Sequence, residues 1–303
     1  MKKILLFAML IVLTLNMAFA GFNPEYSDYQ YYIKHEYQVD WDYLVEALKS
    51  PADDQEKAAI LWRMARTRLT ITDSIPDDSS HKEARLAGYG EAEKLAQQSV
   101  DTYETANGYH WLSSSIGRIG QVNGPLNSLG KAKPMLGLIE KIQNEFKADM
   151  SDAWYVLGIL YKSLPGAPIS FGNNNFAISY MKRCLDTQDT VNRSNLENFI
   201  ETAEQLYERN WNASKRSKEF EKMEEKYNKE SVPSEKMKYY EGKEGKDTMA
   251  FYCSVPLATI SDRQEAVTIL RYALAVYESR AAYNLESDHE KAAEIRTWLN
   301  EIT

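Results

Sequence analysis

Histidines, cysteines and carboxylates are the side chains of this 303-residue chain that could carry acid–base, nucleophilic or metal chemistry. Their spacing argues against each. His35, His81, His110 and His289 lie far apart, with no HExxH or HxH pattern and no neighbouring Cys, so no two imidazoles are set up to share a metal ion. A nucleophilic triad needs a Ser or Cys in a strained turn beside a positioned His, and no GxSxG or comparable context occurs. GxxxxGK[ST] and GxGxxG are also missing, so no phosphate-cradling loop is signalled. Asp53-Asp54 and Asp77-Asp78 are adjacent carboxylates, but among 44 acidic residues adjacency carries no information. Cys184 and Cys253 have no CxxC spacing. An oxidising compartment would let them pair, whereas the small-residue helical position of Cys184 suits it to packing as a free thiol. The expectation is a protein with no catalytic residue, no metal ligand and no cofactor.

Other residues suit recognition. Pro165 and Pro168 restrict the backbone of a loop, Leu164 to Gly172, that carries Ile169 and Phe171. These two apolar residues either meet a partner from a rigid platform or, for Phe171, fold back between helices. Trp111, Ser114, Arg118 and Gln121 mark a second candidate, on a helix made small and polar by Ser113, Ser115 and Gly117. Arg118, with Gln121 and Asn123 nearby, has the fork that binds a carboxylate in bidentate fashion, while the serines equally allow close helix packing. Tyr26, Tyr29, Tyr31, Tyr32, Tyr37, Trp41 and Tyr43 form an aromatic N-terminal stretch, suited to an interface or to covering the end of a repeat array.

The elements that must position these residues are helices. Trp154, Leu157, Gly158 and Tyr161 carry the spacing W-x2-L-G-x2-Y, and after a loop Ala177, Met181 and Cys184 continue the pattern of a tetratricopeptide helix pair. Small residues at Gly158 and Ala177 let the two helices approach, and the loop between them is longer than the consensus by about seven residues. Leu61, Met64 and Ala65, and then Trp111, Ser114 and Ser115, start two earlier pairs in the same register. The first pair returns over roughly 83–104; the second turns over Gly120 to Gly130 and returns from about Pro134 to Phe146. Trp41, Leu44, Val45 and Leu48 form an amphipathic helix ending before Pro51. Leu196, Phe199, Ile200, Ala203 and Leu206 give another helical face. From Asn210 to Asp247 the chain is dense in Lys and Glu and reads as a solvated helix followed by a loop. Ser261-Asp-Arg-Gln264 and Ser287-Asp-His-Glu290 have the form of capping boxes opening two final helices.

Met1 to Ala20 combines Lys2 and Lys3, an apolar run from Ile4 to Leu15 and Ala18-Phe19-Ala20, the form of a cleaved secretory signal. No Cys follows Ala20 to carry a lipid, and the run is short for a membrane span, so the mature chain is expected to be periplasmic or secreted with no membrane insertion. Cleavage leaves 303 − 20 = 283 residues and shifts the net charge by the two lysines, from −8 to −10. An acidic balance argues against nucleic acid as partner.

The runs His110-Trp-Leu-Ser-Ser-Ser-Ile-Gly-Arg-Ile-Gly120, Gly124 with Ser128-Leu129, Ala153-Trp-Tyr-Val-Leu-Gly158 and Pro165-Gly-Ala-Pro-Ile-Ser-Phe-Gly172, with Leu61-Trp62-Arg63-Met64-Ala65-Arg66, resemble bacterial secreted tetratricopeptide-like proteins. These are of the regulator of microtubule dynamics type and the T-component type of TRAP transporters. The resemblance spans roughly Ala58 to Cys184 and implies an all-α fold without catalysis. The expected architecture is therefore all-α, helical hairpins stacked into a solenoid: 1–20 a signal peptide, 21–51 an aromatic cap, 52–210 the repeats, and 211–303 a charged helix and loop with a C-terminal helical pair. The expected role is a scaffold that binds a protein or peptide. The alternative is a periplasmic small-ligand component working with a transporter, although the missing lipidation Cys departs from the lipoprotein members of that type.

Overall fold

The computed structural model of the chain describes residues 21–188 and 195–302. The expected signal sequence, 1–20, lies outside the described residues. Within them every regular element is helical, no strand occurs, and no helix is long and apolar enough to cross a membrane. The chain divides between Val122 and Asn123 into two compact units.

The first unit opens with α1 (Pro24–Tyr29), which continues into a π-helical turn over Gln30–Lys34, and α2 (Tyr37–Ala47). Asn23 starts α1 as its cap, its Oδ1 accepting from the N–H groups of Glu25 (2.9 Å) and Tyr26 (3.2 Å), and Pro24 sits where the missing N–H costs nothing. α3 (Asp54–Asp73) and α4 (Lys82–Thr102) pack together as a helical hairpin. Gly88, Ala92 and Ala96 make α4 narrow enough for this; a side chain at position 88 would run into Thr72. α5 (Ala106–Asn123) lays Trp111, Ile119 and Val122 against Leu69, Tyr89 and Ala92.

The N-terminal aromatics and acids cover the arginines of α3. Arg66 is fully buried, bonded to Asp28 at 2.6 Å and Asp40 at 3.3 Å, with its guanidinium 3.9 Å from the Tyr31 ring centre and 4.9 Å from that of Tyr32. Arg63 holds the same Asp28 through both carboxylate oxygens, at 3.1 and 2.9 Å. Asp40 accepts further from Ser27 (2.5 Å) and Thr67 (2.6 Å), so this buried acid is fully paired.

The second unit contains α6 (Pro125–Asn144), α7 (Ser151–Ser163), α8 (Asn174–Thr187), α9 (Leu196–Arg209), α10 (Ala213–Lys229), α11 (Pro233–Met237), α12 (Asp262–Ser279) and α13 (Glu286–Ile302). Short 3-10 turns at Tyr240–Gly242, Gly245–Asp247 and Leu257–Thr259 lie between α11 and α12. α7 and α8 pack as the hairpin the W-x2-L-G-x2-Y spacing calls for, with Gly158 facing α8: a Cβ there would stand 2.5 Å from the Met181 sulfur and 3.4 Å from the Ala177 carbonyl. α8 packs on α9, α9 on α12 and α12 on α13. Their shared core holds Ile178, Leu185, Phe199, Ala203, Leu206, Ala266, Ile269, Leu270 and Ile295. A smaller core joins Trp211, Phe220 and Met223 to Leu257 and Ala258.

Three local expectations are corrected. α6 begins at Pro125 rather than near Pro134: Gly124 takes a φ of 84°, open to glycine, and Pro125 then occupies the first helical position. Pro134 lies inside the helix, where it has no N–H to give to the Gly130 carbonyl one turn earlier. Ser287 does not cap α13, because the helix already includes Glu286; the Asp288 carboxylate instead accepts from the Leu285 N–H at 2.9 Å. The Lys- and Glu-rich stretch after Asn210 does form a helix and then a loop, but it is not simply solvated: Arg216, Phe220 and Glu241 are buried. The expected capping box at Ser261 is present, with Gln264 N–H to Ser261 Oγ at 3.3 Å and Ser261 N–H to Gln264 Oε1 at 2.8 Å.

Candidate binding groove above a buried charge network

Six charged side chains meet in the interior of the second unit. Lys182 comes from α8, Arg209 from the end of α9, Arg216 from α10, Glu241 from the 3-10 turn, and Asp262 and Glu265 from the first turn of α12. Glu241, Asp262, Glu265 and Arg216 are buried at 1% exposure or less. Arg209 clamps Glu241 with both terminal nitrogens (2.5 and 2.6 Å) and reaches Asp262 through Nε and Nη2, both at 2.8 Å. Lys182 bridges Glu241 (3.0 Å) and Glu265 (2.8 Å), and Arg216 is bonded to Glu265. Tyr252 donates its hydroxyl to Glu265 at 2.7 Å.

The backbone is locked into the same network. Asn210 adopts a left-handed conformation at the end of α9, and the next residue exchanges two bonds with α12: Trp211 N–H to Asp262 Oδ2 (2.8 Å) and Asp262 N–H to the Trp211 carbonyl (2.9 Å). The Trp211 ring lies 4.0 Å from the Arg209 guanidinium.

The carboxylates of Glu241, Asp262 and Glu265 stand within 4.8 Å of one another, close enough for a metal site on distance alone. Three cations already neutralise the three anions, so a metal ion would have to displace buried arginine and lysine. The donor set therefore does not fit a metal. Burial acts to raise the Glu241 and Glu265 carboxyls, and the neighbouring cations outweigh it, Arg209 and Lys182 for Glu241, Lys182 and Arg216 for Glu265, holding both below the usual carboxylate range. The Tyr252 hydroxyl moves the other way, pushed well above its ordinary value by burial and by Glu265.

Tyr252 also lines a groove of about 390 Å³, open to solvent, together with Phe251, Cys253, Ser254, Val255, Ile260, Gln264 and Thr268. Its walls are fixed at several points. Leu257 N–H to the Thr248 carbonyl (2.9 Å) closes the loop at its neck, Tyr252 is tied down by Glu265, and Gln264 is held in the capping box. Phe251 and Val255 nevertheless remain 47% and 40% exposed, and Met249 beside them 43%. The Phe251 ring stands edge-on between Tyr252 and Tyr272, at 5.1 Å from each. Cys253 is a free thiol on the groove wall, and Cys184 is a free thiol in the core. None of the lining residues is His, Lys, Asp or Glu, so what the groove offers is apolar contact and hydrogen bonds.

The residues singled out in the sequence fall into both units. Trp111, Ser114, Arg118 and Gln121 are on α5 of the first unit, where Trp111 is partly buried against Leu69 and Tyr89. Arg118 is engaged internally, by Asp73 and by Gln121, each at 3.1 Å. Pro165, Pro168, Ile169 and Phe171 belong to the second unit. Their loop is closed on itself, Gly172 N–H to the Pro165 carbonyl at 3.1 Å and Asn173 N–H to the Tyr161 carbonyl at 2.9 Å, with the Ala167–Pro168 peptide cis. Phe171 folds back edge-on to Tyr161 at 5.2 Å, and Ile169 projects, 70% exposed.

Neither the charge network nor the groove was among the candidates read from the sequence. The network had a signal. Arg216, Phe220 and Met223 fall at i, i+4 and i+7, and Asp262 and Glu265 sit on the stripe of Ala266 and Ile269, so these charges occupy core-facing positions. The groove had none, since Phe251 to Val255 and Ile260 lie in an irregular stretch with no periodicity to show which of them turn toward Gln264 and Thr268. Compared with protein-family models, with curated proteins and with solved structures, the chain matches none.

Proposed function

We propose that this protein is a non-catalytic helical-repeat scaffold that acts outside the cytoplasm and binds a protein or peptide partner. One observation carries the reading: Phe251 and Val255 are held exposed on an open groove whose lining residue Tyr252 is tied through its hydroxyl to Glu265 of the buried charge network. Apolar side chains held in place by a rigid frame bind at low entropic cost. The α3/α4 and α7/α8 hairpins support the tetratricopeptide-like part of the reading, and the form of residues 1–20 supports export. An open groove suits a peptide or a protein surface better than a small ligand handed to a transporter, which needs enclosure. Ile169 is a second candidate contact.

The test is site-specific photo-crosslinking from position 251, with position 169 in parallel, in cells that express the full chain. A discrete crosslinked partner at 251 is expected. Crosslinks at neither position would defeat the proposal, and N-terminal sequencing of the mature protein that does not begin at Gly21 would defeat its export.

A further inference from the structure

We propose that the groove takes an extended, acidic segment of a partner protein, seating apolar side chains on Phe251, Val255 and Ile260 and placing a carboxylate on Arg271. The inference rests on the groove being the partner site, and it adds what that partner must look like. Gln264 and Thr268 line the groove from α12 at i and i+4, and Arg271, at i+7, is the next residue of the same stripe. Tyr272 beside it packs against Phe251, so the stripe continues the groove at the Phe251 end.

Arg271 is exposed, and its side chain makes neither an ion pair nor a hydrogen bond with any described residue. That sets it apart. The other described arginines meet carboxylates, exposed ones such as Arg296 included, apart from Arg263, which lies over the Tyr207 ring at 4.4 Å. In a chain with 44 acidic residues, an arginine beside an apolar groove with no internal acid is complementary to an acid brought from outside. The opposite wall points to the same ligand. Ser254 and Val255 are exposed and their N–H groups bond to no acceptor among the described residues, so backbone donors remain for the carbonyl or carboxylate groups of a bound segment. No carboxylate lines the groove to attract a basic segment.

Two fluorescein-labelled pools of synthetic peptides of about ten residues decide the matter by anisotropy against the intact mature protein. Both carry two central positions mixed among Leu, Ile, Val and Phe; one pool follows these with Asp and Glu, the other with Lys. The acidic pool is expected to bind about fivefold more tightly, the scale of one rim ion pair. Added salt should erode that preference. Arg271→Glu should invert it, and Phe251→Ala should weaken both pools, with circular dichroism unchanged in each variant. Equal binding of the two pools that falls on Phe251→Ala would overturn the acidic preference and leave the groove reading standing. Binding indifferent to Phe251→Ala would overturn both. If neither pool binds, the inference fails, while the crosslink from position 251 still judges the groove. Self-association seen by sedimentation and dissolved by Phe251→Ala would make a second copy of this chain the occupant, which also overturns it.

Discussion

Arg209 and Glu241 meet fork to fork inside the second unit, Nη1 to Oε2 at 2.5 Å and Nη2 to Oε1 at 2.6 Å, with both side chains at 4% exposure or less. Neither charge can recover its lost hydration except from the other and from Lys182 and Asp262. Such a pair is costly to half-remove. Arg209→Met, which leaves Glu241 and Asp262 with too few cations, is expected to destabilise the second unit by about 3–5 kcal/mol, read from urea unfolding. Adding Glu241→Met to it should recover part of the loss, since balanced apolar replacement of a buried pair is often near neutral. A single variant as stable as wild type would show that these charges are not enclosed.

Acid should open the same network. The folded-state values of Glu241 and Glu265 lie below their unfolded values, so the native state binds fewer protons. Their contribution is complete above the unfolded carboxylate value of about 4.3 and is lost as pH falls from there toward the folded values. The urea midpoint of the second unit is expected to be flat from pH 7 to about 5 and to fall steeply below about 4. Glu241→Gln should flatten part of that fall; an identical acid profile in the variant would remove Glu241 from the linkage.

Gly158→Leu tests the hairpin of α7 and α8. The added side chain meets the Met181 thioether, which can swing, before it meets the Ala177 carbonyl, which cannot. The expected loss is about 1–3 kcal/mol, part of it relieved by Met181→Ala in the same chain. An unchanged melting temperature would show that the two helices are not in close contact there.

The two thiols should behave differently toward a thiol-reactive dye. Burial holds the Cys184 thiol well above its ordinary value, while Cys253 lies on the groove wall. One label per native chain is expected, at Cys253, and a second only on unfolding. Two labels at equal rates in the native protein would contradict the burial of Cys184.

What the sequence disclosed and what it hid follow the range of the interactions. The α7/α8 hairpin was legible because Trp154, Leu157, Gly158 and Tyr161 are set by local helical geometry, and the Ser261–Gln264 cap because both partners lie within one turn. The start of α6 was misplaced because Pro134 looks like a beginning, and only the conformation of Gly124 puts the beginning at Pro125. The character of the stretch after Asn210 was misjudged because a Lys- and Glu-rich helix reads as solvated wherever its few core-facing charges find partners on distant helices. Arg216 finds Glu265, 49 residues on.

That distance bears on the order in which the chain can assemble. In the first unit Arg66 meets Ser27 and its neighbouring acids over a separation of 39 residues, so its charges find their partners while little of the chain is present. In the second, Lys182 meets Glu265 across 83 residues, and although Glu241 can pair earlier with Lys182 and Arg209, three cations share that one carboxylate until α12 brings Asp262 and Glu265. The network thus acts as a late clasp. Two of its three carboxylates belong to Asp262 and Glu265, so a chain that ends before α12 leaves the cations of the second unit out of balance.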